Sequence, residues 1–325
     1  MHYSPQEKFE IIKLVENSDL GVIRTLRELK VNKTTFYKWY HQYNEKGYEG
    51  LKRRKGSNQA VWNKINEADR DKVVEIALEK PELSSRELAW HITDKYSYYI
   101  SESSVYRILK ENGLITTPSF RIMSASDRFH DQTVRANQMW QTDFTYFKIF
   151  GWGWYYLSTI LDDYSRFIVS WKLCANMKAE NVKETLDEAL ISAEVSDNNP
   201  PKLLSDNGSC YISEELREYL EDQNMQHVRG RPLHPQTQGK IERYHRSMKN
   251  VVKLENYFSP GQLEEKLKEF VRYYNYERYH ESLNNLTPAE VYFGNGEKKL
   301  KQRQITKIRT LNARKKQNQK INLNL

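Results

Sequence analysis

The chain has 325 residues, carries 51 Lys and Arg against 43 Asp and Glu for a formal charge of +8, and is 38% apolar. That length accommodates two or three domains with cores of their own, and the basic excess favours an anionic partner. Two cysteines, Cys174 and Cys210, exclude a disulfide framework and a four-cysteine zinc site. No apolar run reaches the roughly 18 residues that span a bilayer and the start lacks a signal-peptide core, so the expected setting is the reducing cytoplasm, without a membrane partner.

The first segment shows helical spacing at Phe9, Ile12 and Val15 and again at Ile23, Leu26 and Leu29, with Gly21 at the break. A third helix follows Asn32, a candidate cap, and sets Phe36, Trp39, Tyr40 and Tyr43 on one face against Thr34, Thr35, Lys38 and Gln42 on the other. Three short helices, the last aromatic inside and polar or basic outside, match a helix-turn-helix over 1–46 whose recognition helix enters the major groove. An ordinary helical bundle with a solvated face has the same pattern. Residues 47–63 read as a basic linker containing the run Lys52, Arg53, Arg54, Lys55.

A second trihelical pattern occupies 64–115. Val73, Ile76 and Ala77 mark one helix, Ser84 and Glu87 form a capping box for the next, and Val105, Ile108 and Leu109 mark a third that ends at Asn112-Gly113. Two such units in tandem argue for binding double-stranded DNA more strongly than either does. The candidate contacts are Thr34, Thr35, Lys38, Gln42, Arg53, Arg54, Arg107 and Lys110.

Periodicity fades over 116–137, a second linker with Pro118, Arg121, Arg128 and Arg135. The pattern then changes to strands. WQTDFTYFKIF, WYYLSTILD and RFIVSWKL are rich in aromatic and β-branched residues and are broken at Gly151-Trp152-Gly153 and Asp163-Tyr164-Ser165. A helix at 178–194, a strand LLSD, a helix at 213–223, a strand MQHVR and a long helix at 238–255 follow. The order βββαβαβα predicts a mixed five-stranded sheet with helices on its faces over 138–255.

Asp143 lies in the first of these strands, Asp206 just past the fourth, and Glu242 near the start of the long helix, thirty-five residues beyond Asp206. Adjacent parallel strands present their C-terminal ends to one crevice, where acids from separate segments can converge. Three oxygen-donor side chains suit Mg²⁺ or Mn²⁺, and two ions roughly 3.5–4 Å apart serve an in-line displacement at phosphorus. On the long helix Ile241, Tyr244, Met248 and Val251 form an apolar stripe, and Glu242, Arg246, Lys249 and Lys253 line the opposite face. Arg246 and Lys249 are candidate contacts to a DNA backbone. An exposed helix with a Glu242–Arg246 pair, and turn roles for either aspartate, would explain the same residues singly. Asp162 and Asp163 read as turn residues supporting the site, and His234 falls in a loop before the Glu242 helix.

The motifs WQTDFTYF, LLSDNGSCYIS and RPLHPQTQGKIERYHRSMK resemble the DDE integrase core of bacterial insertion-sequence transposases and retroviral integrases. The likeness continues through LDDYSRFIVSW and RYYNYERYHESLNNLTPAEVYFG, with Asn275, Arg278, His280, Leu283 and Pro288 similar to the C-terminal signature of the insertion-sequence group. The resemblance implies an RNase H-like fold and catalytic, metal-holding roles for Asp143, Asp206 and Glu242. It also implies DNA strand cleavage followed by strand transfer, a homodimer or larger assembly on element ends and target DNA, and a nucleoid-associated bacterial setting. A DNA-binding regulator without catalysis and a nuclease of the same fold are the competing expectations. Beyond the core, Ser259-Pro260 starts a helix with Leu263, Leu267, Phe270 and Tyr274 on one face, and Thr287-Pro288 with Glu290 starts another, in an extension over 256–296. Residues 297–325 hold ten Lys or Arg and one acid, which predicts a mobile basic tail.

Overall fold

A computed structural model describes residues 3–18, 20–51, 61–115, 133–195, 199–229, 239–253 and 255–323. The chain divides into two compact units, Met1–Lys64 with Lys315–Leu325, and Ile65–Arg314.

In the first unit Ser4 caps α1 (Pro5–Glu16) through a capping box with Glu7, and Gly21 precedes α2 (Val22–Glu28). The Asn32 side chain accepts from Thr34 N at the start of α3 (Lys33–Lys46), and α4 (Tyr48–Leu51) follows. Ile12, Leu26, Phe36, Trp39 and Leu51 are buried together. One expectation changes: Ile23 is 59% exposed, because α2 turns Val22 and Leu26 toward the core.

The second unit opens with α5 (Glu67–Glu79), α6 (Ser85–Lys95) and α7 (Glu102–Glu111), in which the Ser84/Glu87 capping box and the Asn112 cap form where the sequence puts them. The Ser84 box satisfies N–H groups at the start of α6, worth about 1 kcal/mol, and the Asn112 side chain donates to the Ile108 carbonyl at the end of α7. The sheet follows, with β1 (Met139–Ile149), β2 (Gly153–Asp162), β3 (Ile168–Cys174), β4 (Lys202–Ser205) and β5 (His227–Arg229) in the order β3-β2-β1-β4-β5. β1, β2 and β3 are antiparallel, whereas β4 joins β1, and β5 joins β4, in parallel. This is the mixed sheet and element order of an RNase H-like fold.

Helices cover the central part of both faces of the sheet. On one, α8 (Ala179–Ser192) and α9 (Glu214–Asp222) pack over Trp140, Ile160 and Leu203. On the other, α10 (Gly239–Val252) and α11 (Pro260–Tyr276) cover Phe147, Ile149, Leu157 and Leu161. The inward stripe of α10 is Ile241, Tyr244, His245, Met248 and Val252; Val251, expected inside, is 43% exposed because the 3.6-residue turn carries position 252 onto the seam. Ser259 caps α11, and a Thr287/Glu290 capping box starts α12 (Pro288–Tyr292). Among the described residues no helix is long and apolar enough to cross a membrane.

The expected basic tail is instead α13 (Gly296–Leu323). Arg303, Thr310 and Arg314 are buried against the second trihelical module: Arg303 pairs with Asp94, Thr310 Oγ1 accepts from Tyr99 N, and Arg314 donates to the Tyr98 hydroxyl and the Tyr99 carbonyl. These contacts, with Arg86 donating to the Asn285 side chain, tie residues 65–115 to the C-terminal extension within one unit. In the first unit Asn318 donates to the Trp62 and Lys64 carbonyls at 3.0 Å each.

His280 lies edge-on to Tyr274 at 4.9 Å, and its Nε2 is buried without a hydrogen-bond partner among the described residues. Burial first, then the charges of Arg278, Arg166 and Arg86, push its pKa from 6.5 down to about 3. The unfolded chain therefore takes up this proton first as pH falls, so the contribution is complete above the unfolded value of 6.5 and is lost below it. Moving from neutrality to about pH 5 is expected to cost about 2 kcal/mol through this residue. Chemical denaturation at the two pH values checks it; an equally steep loss in His280→Phe would assign the slope to other groups.

Candidate active site

β1 and β4 pair at Met139↔Lys202, Trp140↔Leu203 and Gln141↔Leu204. Asp143 and Asp206 each lie two residues past the last of these pairs, and both acids push up the pKa of Cys210 and Tyr211, after burial as the larger cause. Asp206 stands exposed just past β4, where its Oδ1 accepts from Gly208 N at 2.8 Å. A Cβ at Gly208 would lie 3.0 Å from that oxygen, so glycine lets the turn close over the carboxylate.

Among the described residues no strand pairs with this edge of β1 beyond Gln141, and α10 runs beside it. Between them lies an open cleft of about 790 Å³ lined by Asp143, Tyr146, Glu242, His245, Arg246, Lys249 and neighbouring residues. Asp143 thus relates to Asp206 through strand register and to Glu242 through the cleft. The donors are all carboxylate oxygens, the class Mg²⁺ and Mn²⁺ take. Among the described residues no three His, Cys, Asp or Glu side chains gather closely enough to hold one ion. Like charges repel, so three carboxylates are expected to stay apart until a cation neutralises them.

A buried network fixes α10 to β1. Asp163, 4% exposed, accepts from Gln141 Nε2 at 2.7 Å, from Thr133 Oγ1 at 2.6 Å and from Lys240 Nζ at 2.7 Å. Gln141 Oε1 in turn accepts from Ile241 N at 3.1 Å, satisfying one of the free N–H groups at the helix start. The strand bearing Asp143 and the helix bearing Glu242 are therefore locked at residues adjoining both acids. Asp162 closes the turn, accepting from Ser165 N and Oγ and from Asn137 N. Burial pushes its carboxyl above the ordinary range, opposed by those hydrogen bonds.

Gln141→Leu would take one hydrogen bond from Asp163, which keeps Thr133 and Lys240, and would strand the Ile241 N–H, at an expected cost of about 1–3 kcal/mol. The local signature is faster amide exchange at Ile241 than at Met248. Exchange at Ile241 as slow as in the native chain would remove Gln141 from the lock.

His245 went unmarked in the sequence. Its Nδ1 lies 3.4 Å from Asp143 Oδ2 at the back of the cleft, and its Nε2 is buried without a partner among the described residues. The only signal was its position three residues after Glu242, flanked by apolar Tyr244 and Met248. Lys249, half-buried, has its ammonium 4.6 Å from the Tyr146 ring centroid, and burial lowers its pKa, opposed by Asp143. Arg246 is exposed, as are Thr34, Thr35, Lys38, Arg107 and Lys110, whereas Gln42 is half-buried. Arg53, Arg54 and His234 lie outside the described residues.

Comparison with known proteins bears on this site. Models described as "Integrase core domain" match residues 133–235 and 223–288, and models described as "Homeodomain-like domain" match 2–52 and 35–109. The chain carries an integrase core behind homeodomain-like modules. The transposase for insertion sequence element IS629 of Shigella sonnei is 31% identical over 117 residues, 35% of this chain and 38% of that protein. The Gag-Pro-Pol polyprotein of Simian retrovirus SRV-1 is 30% identical over 116 residues, 36% of this chain and 6% of that one. The chain thus spans less than half the length of these relatives. The HTLV-2 integrase catalytic core domain, solved in complex with magnesium, shares 18% identity at a TM-score of 0.40 over 49% of this chain and 98% of that one, too remote a likeness to carry a role across. The integrase core matched here contains Asp143 and Asp206 in one model and Glu242 in the other.

Proposed function

We propose that this chain is a transposase that binds the ends of a mobile DNA element through its helix-turn-helix modules, frees a 3′-hydroxyl by strand cleavage and joins it to target DNA. Asp143, Asp206 and Glu242 would hold the divalent cations, two Mg²⁺ or Mn²⁺ ions, and Thr34, Thr35, Lys38, Gln42, Arg53, Arg54, Arg107 and Lys110 would contact the ends. The observation that supports the reading is the cleft between β1 and α10, lined by Asp143, Glu242 and the three cations Arg246, Lys249 and Lys253. When bound, the ions supply activation of the attacking oxygen and neutralisation of the leaving one. The protein's own part is positional. Arg246 and Lys249 hold the phosphate backbone, His245 restrains the Asp143 carboxylate, and the Lys240–Asp163–Gln141 network holds Glu242 in register with it. Pairing two element ends calls for at least a dimer on DNA.

The test is incubation of purified protein with DNA carrying the ends of the encoding element in Mg²⁺ or Mn²⁺. Nicked ends and joined products are expected. Binding without nicks would make the chain a regulator, and nicks without joining would make it a nuclease.

A further inference from the structure

The β1–β2 hairpin exposes aromatic rings next to the cleft. Phe147, Ile149 and Leu157 fill one face of its strands, but on the other face the α8–α9 layer reaches as far as the pair Phe144 and Ser158. Beyond that limit Tyr146 and Trp154 are each 51% exposed. The pairing Lys148↔Trp154 sets Trp154 on the same face as Tyr146, and the two rings meet edge-on with centroids 5.4 Å apart. Cations flank both rings: Lys148 Nζ is 5.8 Å from the Trp154 ring, and Lys249 Nζ is 4.6 Å from that of Tyr146. Trp152 Nε1 donates to the Phe258 carbonyl at 3.0 Å and so pins the hairpin tip. Tyr146 also lines the cleft of Asp143 and Glu242, which makes the ridge continuous with it.

We propose that Tyr146 and Trp154, with Lys148 and Lys249 beside them, form a stacking surface for unpaired DNA bases emerging from the Asp143–Glu242 cleft. Rigid rings offer their faces to any base, and ammonium groups at their margins meet the phosphates between successive bases. A purely apolar partner would gain nothing from those lysines. The proposal shares with the transposase reading only that DNA enters the cleft, and its test requires no chemistry.

The experiment uses the full chain without divalent cations, a fluorescent oligothymidylate strand, and a blunt duplex of equal length. Tyr146→Ala combined with Trp154→Ala removes two exposed rings outside both cores, and a melting curve like that of the native chain confirms the fold. Affinity for the single strand is expected to fall about tenfold or more, with duplex affinity changed less than about twofold. Lys148→Gln should flatten the salt dependence of single-strand binding by roughly 0.7. Unchanged single-strand affinity, or an equal loss on both probes, overturns the proposal. So does a native dimer that the double variant converts to monomer, which would assign the ridge to a second copy. Loss of nicking or joining in a separate assay would count against the transposase reading and leave this result standing.

Discussion

Asp143→Asn is expected to slow strand cleavage in Mg²⁺ by roughly 10²–10³-fold while leaving binding to element ends within about twofold. The substitution keeps the shape of the side chain and removes the charge that would face a cation, a change worth several kcal/mol of transition-state stabilisation, or about tenfold per 1.4 kcal/mol. Asp206→Asn should lose as much. The double variant should fall little further, because carboxylates serving one ion act as a unit. Without metal the sign on stability reverses. If Asp143 and Asp206 share a cation, neutralising one in its absence removes a like charge, and the variant should unfold no more easily than the native chain. Nicking rates, a mobility-shift titration and a metal-free melt check the three parts. Nicking at the native rate by Asp143→Asn would take the carboxylates out of the chemistry.

The strands and most helix starts were legible because each is written locally. Alternation and β-branched content mark β1 to β3, and the side chains of Ser84, Ser259 and Thr287 lie within three residues of the N–H groups they cap. Strand order suggested that Asp143 and Asp206 could converge, and the family resemblance singled them out. The support beneath them could not, since Gln141 meets Ile241 across one hundred residues of chain and Asp163 meets Lys240 across seventy-seven. His245 stands among polar and charged neighbours, Arg243, Arg246 and Ser247, and only the closeness of β1 explains its burial.

The misreading of residues 297–325 has a more general cause. The buried side of α13 is made by Arg303, Thr310, Arg314 and Asn318, whereas Ile305, Ile308 and Ile321 face outward. Their spacing of seven, four and four residues is helical, but a search for apolar periodicity passes over it because every inward residue is polar. Each finds a partner fixed in place, chiefly the carboxylate of Asp94 and carbonyls of the second trihelical module and the segments beside it.

That polar seam should be most sensitive at Arg303. Its side chain is 5% exposed, donates from Nε and Nη2 to the two oxygens of Asp94 at 2.9 and 2.7 Å, donates to the Asn285 carbonyl at 3.0 Å, and lies 4.5 Å over the Trp90 ring. Arg303→Ala leaves Asp94, itself 6% exposed, with Lys299 at 3.5 Å and the Tyr279 hydroxyl at 3.3 Å as weaker partners. The expected loss is about 3 kcal/mol, against at most about 1 for a surface pair, because the charge left behind is out of water. Denaturation followed by tryptophan fluorescence reads it directly, since Trp90 lies under the guanidinium. Asp94→Leu combined with Arg303→Met should recover most of the loss, as neither partner then remains as a buried charge. A double variant as unstable as Arg303→Ala alone would instead locate the stabilisation in the carbonyl and Trp90 contacts, and a single-variant loss below about 1 kcal/mol would mean that the pair is worth no more than a surface ion pair.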